Sequence, residues 1–84
     1  MSFSQIFGQI LKEIRIEKKL SQEELGFNSG YHRTYISLLE RGKKNPSLQV
    51  VFQLAVCLDI TPSAFIKRIE KQLAENSRND EELA

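Results

Sequence analysis

The chain has 84 residues, with twelve Lys and Arg against eleven Asp and Glu, a formal net charge of +1 and one cysteine. A chain of this length makes one domain with a small core. A single cysteine excludes an internal disulfide, and one His with one Cys cannot build the usual four-ligand zinc site. No apolar stretch approaches membrane-spanning length. The N-terminus lacks the basic region followed by an apolar run that marks a signal peptide, so a cytoplasmic protein is expected.

The small net charge hides an asymmetry. Residues 1–48 carry eight Lys and Arg against five Glu, a net of +3, whereas residues 49–84 carry four against six acids, a net of −2. A local basic patch is what contact with phosphates requires. The same charges also suit ordinary solvated helix faces, so charge alone does not decide between the two.

Apolar residues recur with helical period nearly throughout, and Pro and Gly occur only as punctuation, so the pattern predicts an all-α chain of five helices. The first runs from about Ser4 to Lys19, with Phe3, Ile6, Phe7, Ile10, Leu11 and Ile14 along one face. Ser21, with Glu24 three residues on, forms a capping-box pattern ahead of a second helix over about 22–28. Gly30 marks a sharp turn, and Tyr31 packs inward or stacks over it. His32 caps a third helix over about 33–41, although His is a poor cap beside Ser or Asp. Ile36 and Leu39 face its core side, which leaves Arg33, Thr34, Ser37 and Leu38 on the other. Gly42 ends this helix and Pro46 bars its continuation.

Ser47 caps a fourth helix from about Leu48 to Leu58, apolar over more than one face and so expected to be the most buried. Cys57 falls within it as a small core residue. Thr61-Pro62 starts a fifth helix, Thr as cap and Pro at the first helical position, running to about Ala74. Residues 1–74 thus form the domain, and 75–84 are a polar, acidic tail expected to fray.

Two short helices about a tight turn, followed by a basic loop, are the layout that sets a second helix in the DNA major groove. The run from Ser21 to Pro46 resembles the helix-turn-helix of the Cro/C1-like (XRE-type) transcription regulators of bacteria and phages. Within that group His32-Arg33-Thr34-Tyr35-Ile36-Ser37 looks most like the controller proteins of restriction–modification systems. The likeness extends over about residues 6–66 and implies a compact five-helix domain. Two positions depart from the family pattern. Gly26 stands where Ala is usual, a loss of about 0.5–1 kcal/mol in a helix interior although Gly can allow close helix–helix approach, and Tyr31 stands where an aliphatic residue is common.

Arg33 can bond both acceptors of a guanine, Thr34 and Ser37 several base edges, and Leu38 can either meet a thymine methyl or pack against the first helix. The resemblance puts Arg33, Thr34 and Ser37 at base-reading positions. Gln22 opens the second helix, where free N–H groups and a side-chain donor suit a phosphate. Tyr35, Arg41, Lys43, Lys44 and Asn45 are further phosphate candidates; partial core burial explains Tyr35 equally well, and a solvated turn also suits Lys43, Lys44 and Asn45. Arg15 and Glu40 match a family Arg–Glu pair that joins the first helix to the end of the third. Phe65, Ile66, Ile69 and Leu73 form a stripe on the fifth helix; a monomer core could take two of them as an intramolecular cap, but the whole stripe is long for that, and in the family this helix commonly forms the homodimer interface.

The expectation is a dimeric, sequence-specific DNA-binding regulator of the restriction–modification controller type. Its partners would be a double-stranded DNA operator, a second copy of itself and RNA polymerase, with no cofactor, no metal and no membrane. A prophage-type repressor is the nearest alternative, and an antitoxin-like module whose tail folds on a partner protein is another. An enzyme is not expected, since no nucleophile, base and orienter converge and no glycine loop cradles a phosphate.

Overall fold

Each of the five helices begins with a side chain turned back onto a free backbone N–H, which fixes where the chain becomes helical. Ser2, Ser21, Ser47 and Thr61 accept from Gln5, Glu24, Val50 and Ala64 at 3.2, 2.9, 3.2 and 3.1 Å. His32 does the same through Nδ1, which accepts the Thr34 N–H at 3.0 Å. The computed structural model describes residues 1–83, with side chains as far as Ser77. The helices are α1 (Phe3–Glu17), α2 (Gln22–Ser29), α3 (Arg33–Glu40), α4 (Leu48–Cys57) and α5 (Pro62–Leu83).

Helix ends follow an equally local logic. Gly30 and Gly42 take positive φ, 81° and 72°, after α2 and α3. Lys19 and Asp59 adopt the same left-handed conformation after α1 and α4, at φ 59° and 55°. In α1, α3 and α4 the next N–H then reaches back five residues, Leu20 to the Arg15 carbonyl, Lys43 to Leu38 and Ile60 to Ala55, at 2.9–3.1 Å. This pattern closes the last turn of a helix by satisfying its free carbonyls.

The core is built around α1, whose Ile6, Phe7, Ile10, Leu11 and Ile14 are all buried. They meet Leu25 from α2, Ile36 and Leu39 from α3, Val51, Leu54 and Ala55 from α4, and Phe65 and Ile69 from α5. Phe7 and Phe65 stack with ring centroids 5.5 Å apart. A clasp at the surface ties α5 to α1, where Arg68 donates to both oxygens of Glu17 at 3.2 and 2.8 Å. That hydrogen bond holds the Glu17 carboxyl below its ordinary range, so the clasp is present at neutral pH and is lost as pH falls through the folded-state value.

Four expectations are corrected. Phe3 is exposed and lies outside the core face of α1. The most buried helix is α1 and not α4, because Leu48, Phe52 and Val56, one turn apart, point away from the body. Cys57 is only half-buried: its thiol donates to the Asn28 carbonyl at 3.3 Å, and burial pushes its pKa up. The fifth helix continues past Ala74 to Leu83, with Gln72 donating to Asn76 one turn on at 3.0 Å. No Pro or Gly follows Pro62 to stop it.

The position of α3 depends on a residue without a side chain. A Cβ on Gly26 would stand 2.7 Å from the Tyr31 carbonyl oxygen and 3.1 Å from the Arg33 nitrogen. Both neighbours are backbone, so neither can swing aside. The sign expected for Gly26 is therefore reversed: Gly26→Ala gains helix propensity but forces the turn and the start of α3 apart. The substitution is expected to lower stability by about 1–3 kcal/mol, read from urea unfolding. A stabilised variant would show that the turn yields without cost.

Candidate nucleic-acid interface

The α3 helix is amphipathic, and its apolar side locks it in place. Ile36 and Leu39 are buried against α1 and α2, so the residues between them face outward. Arg33 and Thr34 are exposed, while Ser37 and Leu38 are half-exposed. Leu38 is not among the side chains packed on the core. It is thus a half-exposed apolar side chain beside Ser37.

Arg33, Thr34 and Ser37 meet Ser21, Gln22 and Glu23 around one open polar hollow, between the start of α2 and the outer face of α3. Residues up to sixteen apart in sequence are brought together here by the turn at Gly30. Arg33 is held loosely, with Nη1 3.5 Å from Glu23 Oε2 and both side chains largely exposed. A surface pair of this geometry stabilises little and leaves the guanidinium available. Sequence reasoning did not anticipate Glu23 at this edge. It falls at the second position of α2, where a carboxylate complements the helix dipole, and that was sufficient to explain it.

The remaining candidates divide by how they are engaged. Lys43 and Lys44 are exposed and enter no ion pair among the described residues. Arg41 folds back along α3, its Nε donating to the Ser37 hydroxyl at 3.2 Å and carbonyl at 3.4 Å. Asn45 accepts a hydrogen bond from the Ser4 hydroxyl, which ties the basic loop to α1. Tyr35 is half-buried, its ring tilted on Tyr31 at 5.4 Å, and burial raises the pKa of its phenol. Gln22 turns its amide inward, donating to Glu40 Oε1 at 3.0 Å.

That carboxylate is the centre of a buried polar knot. Arg15 donates from Nε and Nη2 to Glu40 at 2.6 and 2.9 Å, and from Nη1 to the Leu20 carbonyl at 2.8 Å. The Arg15–Glu40 brace expected between α1 and α3 is therefore present, and it reaches the start of α2 as well.

The stripe on α5 is only partly a surface. Phe65 and Ile69 are core residues of a single protomer, and Leu73 packs half-buried against them. Of the expected interface only Ile66 lies exposed. A stripe of one turn's spacing cannot say which molecule covers it, and here α1 and α4 cover half of it. Ile66 and Leu73 instead border an apolar groove with Phe3, Pro46 and Leu48, continuous with the open face of α4.

The helix-turn-helix family matches residues 11–65, from the middle of α1 into α5. This chain belongs to that family. Among its relatives, control protein C.BamHI of Bacillus amyloliquefaciens is 43% identical over 58 residues, which is 68% of this chain and 72% of C.BamHI. The crystal structure of the restriction-modification controller protein C.AhdI from Aeromonas hydrophila is 47% identical with a TM-score of 0.71, covering 74% of this chain and 94% of C.AhdI. The controller C.Esp1396I, solved as a tetramer with its natural 35 base-pair operator, has a TM-score of 0.80 at 27% identity, covering 88% of this chain and 97% of the other. C.AhdI and C.Esp1396I are restriction–modification controller proteins, the group that the His32–Ser37 run resembles. Among the described residues no single helix is long and apolar enough to cross a membrane.

Proposed function

We propose that this chain is a restriction–modification controller that binds a palindromic DNA operator as a homodimer and regulates transcription inside the cell. The observation that carries the reading is the convergence of Arg33, Thr34 and Ser37 on the outer face of a helix whose other face is locked into the core. The operator complex of C.Esp1396I supports it. With α3 in the major groove, Arg33 bonds a guanine, Thr34 and Ser37 bond neighbouring base edges, and Leu38 meets a thymine methyl. Lys43 and Lys44 follow the backbone, and the N–H groups at the start of α2 face a phosphate. Two copies place their α3 helices about 34–36 Å apart, one turn of DNA.

Selection of binding sites from random duplex DNA tests the reading. A two-fold symmetric site is expected, and transcription by RNA polymerase from a template carrying that site then gives the sign of regulation. If no sequence is enriched, the reading fails. A partner protein that co-purifies in equal amount and blocks DNA binding would instead favour an antitoxin-like role.

Two substitutions separate base reading from backbone contact. Arg33→Ala is expected to weaken binding to the selected site by about 1–3 kcal/mol and to relax preference at one position in each half-site. Uniform weakening on every duplex would make Arg33 a phosphate ligand. Lys43→Ala and Lys44→Ala are each expected to weaken binding on all duplexes and to lower the salt slope by about one unit. A double variant with the wild-type slope would remove both residues from the backbone.

A further inference from the structure

Gln22 has the composition of a phosphate ligand but the geometry of a brace. Its Nε2 donates at 3.0 Å to Glu40 Oε1, the same oxygen that accepts from Arg15 Nη2 at 2.9 Å. Glu40 has a side chain only 3% exposed, so its hydrogen-bond partners are fixed by the protein rather than shared with water. It also closes α3, and Gln22 opens α2. The bond therefore joins the first residue of one helix to the last residue of the other. The turn at Gly30 joins the same two helices at their other ends. With α3 already seated by Ile36 and Leu39, a tie at the end opposite the turn adds a second constraint against small rotations of α3 relative to α2.

We infer that Gln22 is a positioning residue for sequence reading: through Glu40 it holds α3 at the angle that brings Arg33, Thr34 and Ser37 onto the base edges. The inference rests on the DNA-binding reading and sharpens it. Backbone contact tolerates small rotations of a helix, because phosphates are spaced along the groove and long Lys side chains follow them. Bidentate bonds to a base do not tolerate them, because both donors must stay in the base plane. Loss of the brace should thus fall on specific binding and spare non-specific binding. A phosphate ligand would lose both together and reduce the salt slope.

Gln22→Met keeps the length of the side chain and removes the donor, and Gln22→Ala removes both. The full-length variants are compared with wild type on the selected operator and on a random duplex across a salt series. Amide NMR spectra of the free proteins are recorded alongside. Both variants are expected to lose about tenfold on the operator, as for one hydrogen bond to a charged group. Affinity for random duplex and the salt slope should be unchanged, with shifts at the Glu40 and Arg41 amides before any DNA is added. Equal losses on both duplexes with a shallower slope would make Gln22 a phosphate ligand and overturn the inference. Unchanged operator affinity, with or without shifts at Glu40, would overturn it as well. If wild type prefers no sequence, the DNA reading falls with it, whereas a wild type that selects a site and variants that match it reject the role of Gln22 alone.

Discussion

Arg15→Ala is expected to lower the free energy of unfolding by about 3 kcal/mol, a large share of what a domain of this size possesses. The reason lies in what remains behind. Glu40 has a side chain only 3% exposed and receives two of its three hydrogen bonds from Arg15. Without Arg15 a carboxylate stays buried with only the Gln22 amide beside it, and the Leu20 carbonyl loses its donor as well. The hydrogen bond to Glu40 holds Arg15 above its ordinary pKa, against the opposing effect of burial. Replacing both partners by apolar residues of similar volume, Arg15→Met with Glu40→Leu, should therefore cost much less than the two single changes together. Urea unfolding of the three variants measures this. A loss below about 1 kcal/mol for Arg15→Ala would show that water screens the pair as it does a surface bridge.

What could be read from the sequence was local. Ser21 with Glu24, Gly30, Gly42, Ser47 and Thr61-Pro62 announce helix starts and stops within four residues, and the helices begin and end beside them. The outward face of α3 was also legible, because Ile36 and Leu39 fix which side turns inward. What depends on packing between distant segments was not legible. Gly26 allows a close approach, but only the fold shows that the Tyr31 carbonyl and the start of α3 are what approach it. Gln22 looks like a free donor until Glu40, eighteen residues on, is found to accept from it. A stripe at helical spacing leaves room for two of its four residues in a monomer core without saying which, and only the fold shows that these are Phe65 and Ile69. The same blindness concealed the open side of α4, and it left Phe27, 87% exposed on α2, without notice.

For the dimer contact of the proposed function, the structure leaves open the Ile66 and Leu73 edge of the α5 stripe and adds an adjoining apolar face on α4. Leu48 and Val56 are 66% and 70% exposed, and with Phe52 between them they form a ridge along α4 at a spacing of four residues. Ile66 and the groove beside Phe3 extend it across α5. An apolar ridge with an adjoining groove suits a two-fold contact, in which each copy offers the same patch to the other. Phe52→Asp is expected to remain folded, because that side chain does not contribute to the core and surface changes alter stability little. In a two-fold contact it introduces a carboxylate from each copy and should leave a monomer. Loss of the second half-site then weakens operator binding by about a hundredfold or more. Ile69→Asp should behave differently, since it buries a charge against Phe65 and α1 and is expected to unfold the protomer itself. Sedimentation at micromolar concentration should give a dimer for wild type and a folded monomer for Phe52→Asp, with helicity followed by circular dichroism. If Phe52→Asp stays dimeric and binds the operator normally, or if Ile69→Asp yields a folded monomer, the contact belongs to α5 after all.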